Sequence, residues 1–244
     1  MTYCVAMHLD KGLVFMSDTR TNAGIDNIST FRKMQTWEVP GERVITIMTA
    51  GNLATTQAVL SLLDERSKAP DERTPSMLEA PSMFQVARFV GDTLKDVIQN
   101  NLEGGPNQSS KTFNATLIVG GQIKGGEPRL FLIYPEGNFI EASADTPFFQ
   151  IGEVKYGKPI LVRAYDASMS FESAIKLMLV SFNSTIKANL SVGLPFDVQI
   201  YEKDSLNVGY EKRIEEGDPY YQEISESWSD ALSNALGSLP NYKL

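Results

Sequence analysis

The sequence predicts an α+β domain in which strands and helices are grouped into layers. Three observations support this fold class: the chain opens on two β-type runs around a Gly-containing turn, two helical patterns follow one another, and strands return on both sides of a third helix. Helices grouped between hairpin strands favour a layered arrangement over alternating βαβ units.

The first half of the chain predicts a hairpin, a strand and two helices. Apolar runs on either side of the Asp10–Gly12 turn indicate a hairpin over residues 2–18. Residues 25–37 are polar, and we expect them to be irregular. A strong strand over 44–48 leads to Gly51, after which helical spacing begins at Leu53. The helices are predicted over 53–66, with Asn52 as the N-cap, and 83–102; the Pro-containing stretch 67–82 is expected to be an exposed connection.

The second half predicts further strands around one long helix. We predict strands over 112–119, 129–134, 139–142 and 196–202, a helical region within 155–165 and a long helix over 170–187. Gly120 and Gly121 are expected to end the first of these strands. The pattern Ser170-Phe171-Glu172-Ser173 resembles a capping box at the start of the long helix.

Composition narrows the function classes. The chain has 244 residues, a net charge of −8 and 42% hydrophobic residues, with no apolar run of the length that a membrane span requires. The acidic balance argues against a nucleic-acid partner and fits a soluble, cytoplasmic protein. A single cysteine, Cys4, excludes internal disulfides and is expected to be a buried small hydrophobe. The single histidine, His8, is expected to face solvent, so a hydrolase of this sequence would use another base.

The N-terminus offers such a base. Initiator Met is commonly removed when the following residue is small, and Thr2 is small. Its removal would leave a hydroxyl nucleophile beside an α-amine whose reference pKa is about 8, a pair that can activate itself near neutral pH. The residue type alone leaves open the alternative that Thr2 merely follows the initiator.

An ordered set of motifs over residues 2–202 resembles the proteasome β-type family of N-terminal-nucleophile hydrolases. The set comprises the strand after Thr2, the turn 18–24, Lys33, the Thr49–Gly51 strand end, the pattern 126–137 and the helix start 170–174. Within that superfamily the features at 151–153, 156–159 and 189–193, with a long C-terminal extension, most resemble the bacterial homologue Anbu.

This resemblance implies a four-layer αββα sandwich with a C-terminal helical extension, and it implies a set of site residues. Thr2 would be the nucleophile, Lys33 would lower the pKa of its amine, and Asp18 would hold Lys33. Gly51 would offer an oxyanion N–H, and residues 20–22, including Arg20 and Asn22, would line an edge for an extended peptide. Supporting residues are less well matched: Glu153 replaces a serine, and the nearest candidates for an acidic residue and a serine are Asn189 and Ser191.

The resemblance also implies that the chain forms homo-oligomers and acts on a peptide, but it leaves three hypotheses about function open. We expect domain boundaries of 1–204 and 205–244, no cofactor and no metal. The extension carries an amphipathic pattern that would pack on its own domain or on a neighbouring subunit in a ring or an open helical homo-oligomer: Ile224, Trp228, Leu232, Ala235 and Leu236. Peptide substrate is expected, with a separate ATPase or ligase as a candidate partner. Three hypotheses remain: a threonine peptidase, an assembly scaffold with weak or no peptidase activity, and an amidohydrolase for a dedicated small peptide.

Overall fold

The structure is a computed structural model that describes residues 1–22, 28–68, 75–103 and 110–243. The strands are β1 (Tyr3–Leu9), β2 (Gly12–Asp18), β3 (Arg20–Asn22), β4 (Ile28–Thr30), β5 (Met34–Val39), β6 (Arg43–Gly51), β7 (Ala115–Ile123), β8 (Arg129–Ile133), β9 (Phe139–Glu141), β10 (Phe148–Gly152), β11 (Phe196–Glu202) and β12 (Tyr210–Ile214). The α-helices are α1 (Leu53–Lys68), α2 (Met83–Glu103), α3 (Lys158–Ala164), α4 (Phe171–Ala188) and α5 (Pro219–Gly237), and short 3₁₀ turns cover Met77–Glu79 and Ser110–Phe113.

Two antiparallel sheets form the centre of the molecule. One has the strand order β10-β1-β2-β11-β12 and the other β5-β6-β7-β8-β9, while β3 and β4 pair as a separate ribbon. The N-terminal strand is internal to the first sheet: Cys4 pairs with Ser17 of β2 on one side and with Ile151 of β10 on the other. The start of the chain is therefore held on both sides by strand hydrogen bonds.

The alternation of side chains along β1 distributes them between two apolar layers. Tyr3, Val5 and Met7 pack with α4 residues such as Phe182, whereas Cys4 and Ala6 pack between the two sheets. Successive strand residues point to opposite faces, so a strand with both faces covered is apolar throughout instead of alternating with polar residues.

The second sheet is covered on its outer face by the other two long helices. Ile45 and Ile47 of β6 pack with Val59 of α1 and Val90 of α2, while Val44 and Met48 of the same strand face the first sheet. The molecule thus has four layers. The first contains α3, α4 and the start of α5; the two sheets form the second and third; and α1 and α2 form the fourth. The predicted four-layer αββα sandwich is confirmed.

Three strand predictions were wrong or incomplete. Residues 34–37, expected to be irregular, begin β5, because β6 supplies ladder partners to polar residues such as Gln35 and Thr36. The strand expected to stop before Gly120 continues to Ile123, since Gly121 (φ +152°) lets the backbone lie where a Cβ would be 2.0 Å from Val44 O. The strands β3, β4, β10 and β12 were not predicted, and β4 lies within the stretch 25–37 that was expected to be irregular.

Two predictions of exposure were also wrong. Ser76 and Met77, within the stretch expected to be an exposed connection, are buried beside α2, and Ser76 caps a 3₁₀ turn; residues 69–74 of that stretch lie outside the described residues. His8 is half-buried rather than solvent-facing, with Nε2 3.0 Å from Pro128 O. Cys4, by contrast, is fully buried as predicted.

The C-terminal helix has two different halves. Near its start, Tyr221 packs against Phe196 of β11, with ring centroids 5.5 Å apart. Every described residue from 229 to 243 is exposed. Over the described ranges, no helix is long and apolar enough to cross a membrane.

Candidate active site

Thr2 lies directly before β1 and is held by the end of β10. The Glu153 N–H donates to Thr2 O at 2.7 Å. The preceding residue, Gly152, has φ +85°, and a Cβ there would be 1.9 Å from the same oxygen. Glycine is therefore required for β10 to approach the N-terminal residue this closely.

A buried ion pair lies beside this N-terminal residue. Lys33 Nζ is 2.6 Å from Asp18 Oδ1, and the two side chains are 6% and 0% exposed. The ammonium also donates to Arg20 O at 2.7 Å, and Asp18 Oδ1 accepts the Tyr3 N–H at 2.9 Å. The turn after β2 and the segment before β5 thus meet at the start of β1. Burying two charges costs several kcal/mol per ion before pairing, so such a pair often serves function more than stability.

The charges of Lys33 and Asp18 influence the pKa of the terminal amine. Burial raises the pKa of the Asp18 carboxyl, opposed by Lys33, by the Tyr3 N–H and by the nearby N–H of Gly193. With Met1 present, the terminal amine has a lowered pKa, first because of burial and then because of the positive charge of Lys33, while Asp18 partly opposes the effect. A lysine that lowers the pKa of a terminal amine favours its neutral, proton-accepting form.

Gly51 ends β6 at the junction with α1. Its φ is +119°, and a Cβ would lie 2.4 Å from Asn114 O. The next residue, Asn52, caps the helix by accepting the Thr55 N–H at 3.0 Å, as the sequence predicted. The junction is therefore a tight glycine corner in front of a helix.

A cavity of about 500 Å³ connects these elements. It is lined by the N-terminal residues, the segment before β5 that carries the ion-pair lysine, the glycine corner, the end of β10 and neutral residues of β3, β6 and α1: Met1, Thr2, Thr21, Phe31, Arg32, Lys33, Thr49, Ala50, Gly51, Leu53, Thr56, Gln57, Leu60 and Gly152. Three sequence-predicted site residues, Thr2, Lys33 and Gly51, thus share one cavity. Sequence reasoning missed the α1 wall, although the helical spacing after Gly51 was a signal that one face would look back at the strand end.

Arg20 and Asn22 are placed differently from Thr21 between them. Thr21 lines the cavity, while the Arg20 guanidinium donates to Leu190 O at 3.0 Å and lies against Gly193. Asn22 pairs with Ile28 in the β3–β4 ribbon, and its side chain lies outside the described part of the structure. Alternation along a strand explains why neighbouring residues of β3 have different surroundings.

The three supporting candidates form a second group beside Thr2. Asn189, the C-cap of α4, donates from Nδ2 to Glu153 Oε2 at 3.1 Å and accepts the Ser191 N–H on Oδ1 at 3.0 Å. Glu153 does not pair with Lys33: among the described residues, the ammonium contacts Asp18 and Arg20 O. Asn189 is thus linked to Thr2 by way of Glu153, whose backbone N–H donates to Thr2 O, and Ser191 is linked to Asn189.

Behind the N-terminal residue, Tyr3 forms a buried polar network that no sequence pattern predicts. Its hydroxyl is 2.7 Å from Ser181 Oγ and accepts from Gln150 Nε2 at 2.5 Å. Burial raises the pKa of Tyr3 to about 12. The network joins β1, β10 and α4 immediately behind the residue that carries the candidate nucleophile.

The fold is an αββα sandwich of the N-terminal-nucleophile type, with a buried Asp–Lys pair and a glycine corner close to the residue that precedes an internal strand. The proteasome subunit family model matches residues 2–200, and the chain belongs to that family. Among solved structures, it is similar to Anbu, the ancestral β-subunit, from Yersinia bercovieri (47% identity, TM-score 0.91) and from Hyphomicrobium sp. strain MC1 (51%, 0.91), each with 100% of both chains covered.

A third similar structure is the helical assembly of the Anbu complex from Pseudomonas aeruginosa, at 47% identity and a TM-score of 0.90. That match covers 99% of this chain and 98% of the Pseudomonas chain. No curated protein matches the sequence.

Proposed function

We propose that the chain is an N-terminal threonine hydrolase of peptide or other amide bonds, with Thr2 as the nucleophile once Met1 is removed. The observation that carries this proposal is the buried Lys33–Asp18 pair beside the cavity that contains Thr2. Membership of the proteasome subunit family supports the same function.

In the proposed reaction the Thr2 hydroxyl oxygen attacks the amide carbonyl carbon and its proton passes to the α-amine. The amine then gives this proton to the leaving nitrogen as the C–N bond breaks, leaving an ester on Thr2. Water attacks the ester, and its proton returns to the threonine oxygen by way of the amine. Lys33 keeps the amine neutral by its charge, and Asp18 orients Lys33.

The substrate would lie across the cavity with its carbonyl oxygen toward the glycine corner. Gly51 would present its N–H to the oxyanion, a contribution of roughly 3 kcal/mol for one such donor. The side chain on the acyl half of the substrate would enter the cavity, whose α1 wall is largely neutral. An extended peptide would run along β3, residues 20–22, as an added strand.

The test is mass spectrometry of the intact protein after incubation with a peptide epoxyketone, which reacts with both the hydroxyl and the amine of an N-terminal threonine. We expect loss of Met1 and one adduct per chain, with no adduct on Thr2→Ala. Loss of Met1 without any adduct across several epoxyketones of different side chain would favour the scaffold hypothesis.

We further propose that the chain forms a homo-oligomer and that residues 205–244 contribute to it. The support is the fully exposed stretch 229–243, in which Leu232, Leu236 and Leu239 are 50%, 72% and 62% exposed, together with the helical assembly of the similar Pseudomonas protein. Exposed apolar residues that lie close together, as Leu232 and Leu236 of α5 and the following Leu239 do in sequence, are typical of contact surfaces. We also propose that the protein is located in the cytoplasm and that a separate ATPase or ligase is its partner.

A further inference from the structure

We infer that Glu153 binds a positively charged group on the leaving half of the substrate, so that the preferred substrates carry Lys or Arg directly after the cleaved bond. This inference rests on the proposed function, because it assigns the substrate class of the same site.

The position of Glu153 carries the first step. Its backbone N–H donates to Thr2 O at 2.7 Å, so the residue is tied to the candidate nucleophile itself. The cavity proposed for the acyl half is lined by Gly152 but not by Glu153 or Asn189; its other walls come from residues 21, 31–33 and 49–60. Glu153 therefore lies outside the acyl cavity and against Asn189 of the loop 189–193, and we assign the leaving half of the substrate to this side of Thr2.

The contacts of the carboxylate carry the second step. Its recorded partner is the neutral amide of Asn189, 3.1 Å from Oε2, and it forms no ion pair with a described cation. The side chain is half-buried. A carboxylate that is oriented by an amide and retains unused acceptor positions favours a cationic donor, because charge-assisted hydrogen bonds are stronger than neutral ones.

The neighbouring charges do not neutralise Glu153 internally. The Lys33 ammonium is engaged by Asp18 and by Arg20 O, and the Arg20 guanidinium donates to Leu190 O while lying against Gly193. Leu190, which follows Asn189, is 82% exposed and offers apolar surface to the aliphatic stem of a Lys or Arg side chain. The loop therefore combines an oriented carboxylate with an apolar contact for a long cationic side chain.

The experiment measures peptide binding to the full chain in the Thr2→Ala background, where a bound peptide is not cleaved. Alanine is also small, so Met1 removal is expected in this background. Three fluorescent peptides share one acyl half and carry Lys-Lys, Ala-Ala or Glu-Glu after the scissile bond, and fluorescence anisotropy gives each Kd at low ionic strength. We expect the Lys-Lys peptide to bind about five-fold more tightly than Ala-Ala, the upper range for one exposed ion pair.

Glu153→Gln should remove this preference, because glutamine retains an oxygen for the Asn189 amide but has no charge. The matched control is Glu38→Gln, which removes an exposed carboxylate far from the site. Glu38 lies on β5. This strand begins next to the site at Met34, and Glu38 is four residues further on, roughly 13 Å along the strand. This control should keep the preference.

The outcomes separate the inference from the function on which it rests. Equal affinity for the three peptides, a preference for Glu-Glu, or a Lys preference that survives Glu153→Gln would overturn the inference; a Glu preference would instead assign the leaving side to Arg20. The inference would also be overturned if wild-type Thr2 formed the epoxyketone adduct but none of the three peptides bound. Absence of both the adduct and peptide binding would refute the hydrolase proposal itself, and this inference with it.

Discussion

The centre around Thr2 and the outer half of α5 have opposite relations to the rest of the molecule. At the centre, Lys33 and Asp18 are almost completely buried and hydrogen-bonded within the chain. From residue 229 onward, every described residue of the tail is exposed, apolar ones included. The buried pair is enclosed by one copy of the chain, whereas the described part of the tail from residue 229 is hydrogen-bonded within its own helix but has no side chain that the rest of the chain buries.

The difference separates two kinds of evidence for function. Charges are buried in a fold only at a cost, so a buried pair beside a cavity indicates chemistry at that cavity. Leaving apolar side chains in contact with water is unfavourable, and nothing in the monomer compensates for it. Exposed apolar residues therefore indicate association. The two regions should therefore respond to substitution in opposite ways, in stability for the centre and in assembly for the tail.

The largest effect is expected from Lys33→Met. Removal of the cation leaves Asp18 buried and unpaired, so we expect a loss of about 3–5 kcal/mol in the free energy of unfolding and loss of the epoxyketone adduct. Urea denaturation and intact mass measure the two effects. The matched double variant Asp18→Asn/Lys33→Met keeps an acceptor for the Tyr3 N–H and should regain most of the stability without regaining the adduct. A double variant as unstable as the single one would contradict this account.

Gly51→Ala should have the next largest effect. The added Cβ would combine a positive φ with a contact of 2.4 Å to Asn114 O, which sums to roughly 3–4 kcal/mol of strain and overpacking. Gly41→Ala is the control, because Gly41 has φ +73° but no atom within 4 Å of its Cβ position; it should cost about 1–2 kcal/mol. Equal thermal unfolding midpoints for the two variants would show that the glycine corner is not tightly packed.

Alkaline pH offers a third test through Tyr3. Burial raises the folded-state pKa of Tyr3 to about 12, while the value in the unfolded chain is about 10. The contribution of the neutral Tyr3 hydroxyl to the free energy of unfolding is therefore fully present below pH 10 and is lost as the pH rises toward 12. Two pKa units correspond to about 3 kcal/mol. We expect the unfolding free energy of the wild type to fall more steeply between pH 10 and 12 than that of Tyr3→Phe. Parallel curves would mean that the buried hydroxyl ionises as freely as in the unfolded chain.

The smallest effect on stability is expected from truncation after Trp228. Because residues 229–243 are all exposed, their removal should change the unfolding free energy by less than about 0.5 kcal/mol, provided that both chains are compared at concentrations where they are monomeric. Sedimentation velocity at higher concentration should show a smaller species for the truncated chain. An unchanged distribution of species would remove the tail from the proposed interface.

Periodicity predicted those elements whose own residues carry a strong pattern. The hairpin around Asp10, the helices α1, α2 and α4 and the strand β11 all fall close to the predicted positions. The missed strands are those stabilised by neighbours. β5 contains polar residues and forms because β6 pairs with it, and β10 is short and is held by pairing with β1.

The candidate site divides in the same way. The residue types of Thr2, Asp18, Lys33 and Gly51 were identified from motifs resembling a family, and the structure places Lys33 and Asp18 in direct contact. The partners of Glu153 could not be predicted, because Asn189 is 36 residues away and reaches it only through the C-terminal end of α4. The Tyr3–Ser181 hydrogen bond likewise spans 178 residues of sequence.

The layered fold class, the small residue after Met1 and the acidic composition can be identified from the amino-acid sequence, because periodicity, residue size and charge are properties of the local chain. The packing of the folded chain is needed to know which polar groups meet around Thr2, where the cavity of about 500 Å³ lies and which half of α5 is left uncovered. These depend on contacts between segments far apart in sequence, and such contacts form only when the sheets and helices pack together.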